Sequence, residues 1–469
     1  MATGALGTGD RPLRVAVIGS GPSGFYAAEH LLNHADVVAE VDVFDRLPTP
    51  FGLVRGGVAP DHQKIKSVTK MYDKIAAHPR FRFFGNVEIG TDIPVEDLRA
   101  YFHAVIYAVG AKSDRRMGIP NEHLPGSHSA TDFVGWYNAH PDFRRLRFDL
   151  SGTTALVVGN GNVAMDVARI LASPTAHLAT TDIASHAFEA LGKSRIQEVI
   201  LLGRRGPAQA AFTPKELREF GEMDGVDVIV DADQITLDPL TEAHIAANAD
   251  RTRDANIGVM REMATRAPTG GRRVRLRFLG SPVEIVGTDR VEAVVVERNA
   301  LHKAADGQLR PKGTGETETI PVNLVFRAIG YQGVPLPGVP FDDWAGLIPN
   351  EQGRVIDPAR DREPIVGEYV AGWIKRGPTG VIGTNKPDSV ETANAVLQDL
   401  ADGALQRDVP GADVLAAYVG ERCADIITYH DWRTLDGLER AAGEAQGRPR
   451  VKFTTVEAML DALREAETP

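Results

Sequence analysis

The chain has 469 residues, 43% of them apolar and 25% charged, which is enough for two or three domains with substantial cores. Its formal net charge of −11 argues against non-specific nucleic-acid binding, and no apolar run approaches the roughly 20 residues that a stable membrane-spanning helix needs. The single cysteine, Cys423, excludes an intrachain disulfide, a CxxC redox pair, a cysteine-ligated iron–sulfur cluster and a cysteine-based zinc site.

Residues 1–11 are rich in Gly, Ala and Thr and read as a flexible tail without the basic start and apolar middle of a signal peptide, so a cytoplasmic location is the expectation. The apolar run Leu13 to Ile18 then predicts a strand, and Gly19-Ser20-Gly21-Pro22-Ser23-Gly24 follows it directly. Glycines in this pattern permit a tight turn and let the backbone approach a pyrophosphate at the start of the next helix. The next strand, Val41 to Phe44, ends at Asp45, 21 residues after Gly24. A carboxylate there accepts hydrogen bonds from ribose hydroxyls and repels a 2′-phosphate, so this site is expected to hold FAD or NAD rather than NADP. The alternative is that Asp45 is an ordinary turn residue at a strand end. A helix is predicted from about Asp61 to Ala77, with Asp61 as its N-cap and His62 in its first turn.

A further strand, Ala104 to Val109, closes on Gly110, and a polar segment from about Lys112 to Ser129 leads into a second unit. There the run Thr154 to Val158 precedes Gly159-Asn160-Gly161-Asn162-Val163-Ala164, a second fingerprint of the same kind. One such motif is weak, but two in strand–turn–helix context imply two dinucleotides held by one protein. The matching strand end carries Arg204-Arg205 in place of a carboxylate. Paired guanidinium groups suit a phosphate ester, so this site is expected to prefer NADP(H). Thr213-Pro214-Lys215-Glu216 has the form of a helix start, which leaves capping as a rival role for Glu216; Glu219, one turn on, is less explained by local structure. Arginines crowd the stretch from Arg251 to Arg277, either as a solvated face or as a dock for an acidic partner. After the strand Leu324 to Ile329 the chain is expected to return to the first domain, where the Gly-rich segment around Trp373, Gly380, Val381 and Ile382 lets backbone come close to a flat ligand.

Taken together, these segments resemble the adrenodoxin reductase family, including its bacterial NADPH–ferredoxin reductases. The matching runs include GSGPSGFYAAEHLL (19–32), PFGLVRGGVAPDH (50–62), GNGNVAMDVARIL (159–171), GRRGPAQAAFTPKELRE (203–219) and GWIKRGPTGVIGTNKPDS (372–389). The resemblance implies an α/β fold of two Rossmann-like dinucleotide-binding domains in the glutathione-reductase-like arrangement. The FAD-binding domain would comprise 12–112 and 330–469, with an NADP-binding domain, 113–329, inserted in it. It implies hydride transfer from NADPH to FAD and single-electron release to a ferredoxin-like iron–sulfur protein, which could feed a cytochrome P450 system, by a chain that can act as a monomer. By position, Gly19, Gly21, Ser23, Gly24, Asp45, Leu53, Val87, Trp373, Gly380, Val381 and Ile382 match flavin-binding residues. Asn160, Gly161, Asn162, Val163, Arg204, Arg205, Glu216 and Gly380 match NADP-binding residues, and His62 and Glu219 fall where the family has an active-site His–carboxylate couple. A glutamate synthase-type reductase subunit shares the two-dinucleotide plan, but it carries cysteine-ligated clusters that this chain has no residues to bind.

Overall fold

A computed structural model describes residues 4–467, which fall into two compact units. The first comprises the described residues up to Val58, then His62–Ser113 and the chain from Tyr331 onward; the second comprises Ala59–Asp61 and Asp114–Gly330.

Among the described residues the first unit is built on a seven-stranded sheet. Leu13–Ile18 lies at its heart, parallel to Ala39–Asp45 on one side and to Ala104–Tyr107 on the other. All six residues of this strand are buried, as expected for a parallel strand covered on both faces. Phe81–Gly85 extends the sheet beyond Ala39–Asp45, and Glu363–Val370 joins the other side, itself edged by an antiparallel hairpin. The helix Pro22–Leu32 buries Phe25, Ala28 and Leu31 against this sheet and packs beside the helix Asn385–Ala401.

The second unit carries a six-stranded parallel sheet in the order Ser127–Ser129, Leu324–Arg327, Thr154–Val158, Glu198–Leu202, Arg272–Arg277 and Val226–Val230. Helices cover one face. On the other, Ile285, Val294, Val296 and Ile320 of an antiparallel three-stranded sheet pack onto Leu156, Val158, Ile200 and Leu202.

Two local expectations are corrected. The described part of the N-terminal tail is folded: Gly7 accepts a hydrogen bond from the Val38 backbone (2.7 Å), Leu6 is buried in the first unit's core, and Arg11 pairs with Asp408 (2.9 Å). An apolar anchor and a guanidinium outweigh the small-residue composition around them. Residues 1–3 lie outside the described residues. The single helix expected over 61–77 is two short ones, Gln63–Lys66 and Thr69–Ala76, and His62 rather than Asp61 occupies the N-cap. Asp61 instead pairs with the buried Arg169, an interaction 108 residues away in sequence that outcompetes capping.

Candidate dinucleotide-binding sites

Each glycine turn is forced by its surroundings. Gly19 has φ +106° and Gly159 φ +140°, and a side chain at either would collide with a carbonyl of the neighbouring strand end, Ala108 or Ala328. A Cβ at Gly24 would strike the carbonyl of Gly19, so this glycine sets the close helix–strand packing. Gly21 and Gly161 are different. Their backbones lie in the ordinary extended region, and a Cβ on either would meet no atom within 4 Å. Nothing within the protein requires glycine there, whereas a pyrophosphate seated on the following helix N-terminus would.

The two strand ends have opposite chemistry. In the first unit, Asp45 Oδ2 accepts from the backbone and hydroxyl of Ser20 (3.0 and 2.5 Å), and Oδ1 accepts from the Leu47 amide (3.0 Å). Asp45 therefore does hold the turn. Its carboxylate has about four acceptor positions, so these bonds leave room for a hydroxyl donor. Val87, buried, donates its amide to the Asp45 carbonyl (2.9 Å), and Ser23 Oγ donates to Asn385 Oδ1 (3.2 Å). Leu53 and Val381 stand exposed, Gly380 is exposed with φ +83°, and Ile382 is half-buried. Trp373 packs against Tyr331 (5.3 Å between rings), and its buried Nε1 has no acceptor. Exposed aliphatic groups, a glycine without a Cβ and a buried donor without a partner suit a flat, polar-edged ring system such as a flavin.

In the second unit, Arg204 is exposed and Arg205 half-buried, and neither guanidinium has a carboxylate partner among the described residues. Burial, then the charge of Arg204, lowers the pKa of Arg205. Two adjacent cations without an internal counter-ion call for an external anion. Nearby, the buried Nδ2 of Asn160 has no acceptor, while Asn162 Oδ1 accepts from the Thr213 amide (3.0 Å) and ties the glycine turn to the helix Pro214–Gly221. Val163 is the second residue of the helix that follows the turn. Thr213 caps the amide of Glu216 (3.3 Å), but the reciprocal half of the expected capping box is replaced by Asn162. The Glu216 carboxylate is therefore not used in capping; it is buried, and against the opposing effect of burial Asp166, Asp61 and, less strongly, Glu216 raise the pKa of Arg169. Glu219 is half-buried on the same helix, 3.4 Å from Lys215. His62 is half-buried at the start of its short helix in the first unit.

The arginine-rich stretch is largely neutralised within the second unit. Arg273 and Arg275 both pair with Glu198 (3.4 and 2.9 Å), Arg275 with Asp231 (2.7 Å), Arg277 with Glu318 and Arg266 with Glu262 (2.6 Å). Two residues with structural claims on the sites were not singled out in the sequence. Asp388 accepts from the Gly372 amide (2.6 Å) and from Lys375 (3.1 Å), fixing the segment before Trp373, and Asn385 receives Ser23. Only the lone Asp in an Asn-Lys-Pro-Asp-Ser helix start hints at the first.

Two glycine turns with unlike strand ends, each following a parallel strand in its own sheet, define a two-dinucleotide oxidoreductase. Comparison with known proteins narrows this class. The profile of the pyridine nucleotide-disulphide oxidoreductase family matches residues 13–359. The NADPH-ferredoxin reductase FprA of Mycobacterium tuberculosis is 50% identical over 460 residues, spanning 96% of this chain and 99% of that protein. The mitochondrial NADPH:adrenodoxin oxidoreductase of Arabidopsis thaliana is 39% identical over 464 residues, spanning 96% and 95%. The solved structure of Mycobacterium tuberculosis FprA in complex with NADPH matches with a TM-score of 0.92 at 49% identity, covering 97% of this chain and all of that one. The chain belongs to the pyridine nucleotide-disulphide oxidoreductase family, in the branch of the adrenodoxin reductase-type NADPH–ferredoxin reductases. Despite the family's name, one buried cysteine leaves no disulfide to reduce.

Proposed function

We propose that this protein is an FAD-containing NADPH:ferredoxin oxidoreductase that takes hydride equivalents from NADPH and delivers single electrons to a ferredoxin-type iron–sulfur protein. The observation that carries this reading is the contrast between the two strand ends: a turn-anchored carboxylate at Asp45, and the unpaired cations Arg204 and Arg205. Full-length kinship to ferredoxin and adrenodoxin reductases supports the acceptor class. With no thiol pair or cluster of its own, the chain passes electrons to an external carrier.

In this reading FAD is held by Gly19, Gly21, Ser23, Gly24, Asp45, Leu53, Val87, Trp373, Gly380, Val381 and Ile382. NADP(H) is held by Asn160, Gly161, Asn162, Val163, Arg204, Arg205 and Glu216, with Gly380 serving both. Bound FAD supplies the conversion of a two-electron donor into one-electron steps. The chain's own residues align and insulate. The glycine turns fix each pyrophosphate, Arg204 and Arg205 select the 2′-phosphate, and Asp388 immobilises the backbone before Trp373. His62 and Glu219 orient the nicotinamide without moving an obligatory proton. Replacing either is expected to slow flavin reduction on the order of 10- to 100-fold with both nucleotides still bound. A complete loss of hydride transfer would contradict that role.

No helix among the described residues is long and apolar enough to cross a membrane. A cytoplasmic location and a working monomer complete the proposal; the unpaired Cys423 is compatible with a reducing compartment. The test is direct. The purified protein should be yellow, bleach anaerobically with NADPH, and regain colour on addition of a ferredoxin. A polypeptide that holds no FAD overturns the reading.

A further inference from the structure

The helix Tyr429–Glu444 carries a buried carboxylate that the proposed function does not use. The Glu439 side chain is 0% exposed. It accepts hydrogen bonds from Arg55 Nη1 and Nη2 (2.8 and 2.5 Å), from Arg450 Nη1 (3.1 Å) and from the Phe453 amide (2.9 Å). Both of its oxygens thus accept from a guanidinium, which offsets the cost of burying a carboxylate. Arg55 is gripped a second and third time: its guanidinium lies 5.1 Å over the Trp432 ring, and its carbonyl accepts from Lys452 Nζ (3.3 Å). Every one of these partners comes from the last 40 or so residues of the chain, all within the first unit.

Arg55 belongs to the helical turn Leu53–Gly56. The turn is preceded by Phe51, a non-glycine residue with φ +84°, and by Gly52 with φ +50°. Such a backbone persists only where neighbours over-determine it. Here they do. The Phe51 amide donates to the Ser20 carbonyl (2.9 Å), and its ring meets Trp432 edge-on (5.6 Å) and Phe25 (5.6 Å). A Cβ on Gly52 would lie 3.0 Å from the Cα of Gly21, the glycine at which the protein itself leaves room for a side chain. The strained loop thus rests on the first glycine turn on one side and is tied to the helix Tyr429–Glu444 on the other.

We propose that Glu439 is a positioning residue: through Arg55 it clamps the Phe51–Gly56 loop against the Gly21 turn and so slows release of the dinucleotide held there. The inference rests on the reading that this turn holds FAD. It assigns the helix Tyr429–Glu444 a part in cofactor retention that no fingerprint residue performs.

The experiment compares release of FAD from the wild-type holoprotein with release from Glu439→Gln, Arg55→Gln and Arg450→Gln, followed by the rise in free-flavin fluorescence after dilution. Arg450 binds the same carboxylate from the C-terminal segment itself, whereas Arg55 lies in the loop, so a merely structural Glu439 would make Arg450→Gln and Arg55→Gln behave alike. The clamp predicts release about 10-fold faster in Glu439→Gln and Arg55→Gln, little change in Arg450→Gln, and no further gain in the Glu439→Gln/Arg55→Gln double variant. It also predicts an altered visible circular dichroism of the flavin in the two loop variants alone. Equal release in all variants, equal acceleration by Arg450→Gln, or additive effects in the double variant would overturn it. Should the glutamine variants fail to fold, Arg55→Lys keeps the charge but loses the fork, and an unchanged release rate in that protein would overturn the clamp equally. Wild-type protein that never retains FAD would overturn the functional reading as well, whereas variants that release it at the wild-type rate would leave that reading standing.

Discussion

Arg204 and Arg205 leave the end of the strand Glu198–Leu202 with two positive charges and no carboxylate partner among the described residues, while Arg273, Arg275 and Arg277 of the same unit each pair with one. Charge-assisted hydrogen bonds contribute about 1.5–3 kcal/mol each, so losing both should raise the KM for NADPH on the order of 100-fold or more. NADH lacks the 2′-phosphate and should be nearly indifferent. Steady-state kinetics of the Arg204→Ala/Arg205→Ala double variant with the two nucleotides checks this, and parallel losses for both would refute it. Asp45 shows how one residue serves two ends. It ties Ser20 and Leu47 into the turn and still has acceptor capacity for one more donor. Asp45→Asn should therefore loosen FAD and also lower the melting temperature, which a residue used only for ligand binding would not do.

The glycine turns make a sharper test at the level of the strand–turn–helix element. Gly21 and Gly161 accept a Cβ without meeting any protein atom, and their φ values suit alanine. Gly21→Ala should fold normally yet lose FAD, and Gly161→Ala should keep FAD yet lose NADPH affinity. Flavin content and NADPH titration of the two purified variants report this directly. Gly24→Ala, in contrast, should impair folding, because its methyl would enter the Gly19 carbonyl. These elements were legible in the sequence because their signals are local: an apolar run, a glycine spacing and a helix start lie within about twelve residues of one another. The helix expected from Asp61 was not, since Asp61 is taken by Arg169 from a distant helix. The capping box at Thr213 failed in the same way, with Asn162 supplying the donor's partner from 51 residues away.

At the scale of the whole molecule, three of the described imidazoles resist protonation most strongly. His103, His128 and His186 have pKa values pushed down to about 4, in each case chiefly by burial. The unfolded chain protonates near 6.5, so it binds protons that the folded chain refuses between pH 6.5 and 4. The contribution of these three groups to stability is thus complete above pH 6.5 and falls as pH drops through that window. A plot of melting temperature against pH should decline there, and His128→Phe, which fits the contacts with Phe148 and Phe326, should flatten the decline. A melting temperature independent of pH between 6.5 and 4 would count against it.

By itself the sequence determined the strands that lead into both glycine turns, the turns themselves, the acidic and basic strand ends and the absence of thiol chemistry, because each depends on residues adjacent in the chain. Tertiary structure alone decided that Ala59–Asp61 joins the second unit, that most of the crowded arginines are already paired, and that Glu439 reaches back to Arg55. Those outcomes turn on which distant side chain wins a given donor or acceptor once burial has removed water as a competitor.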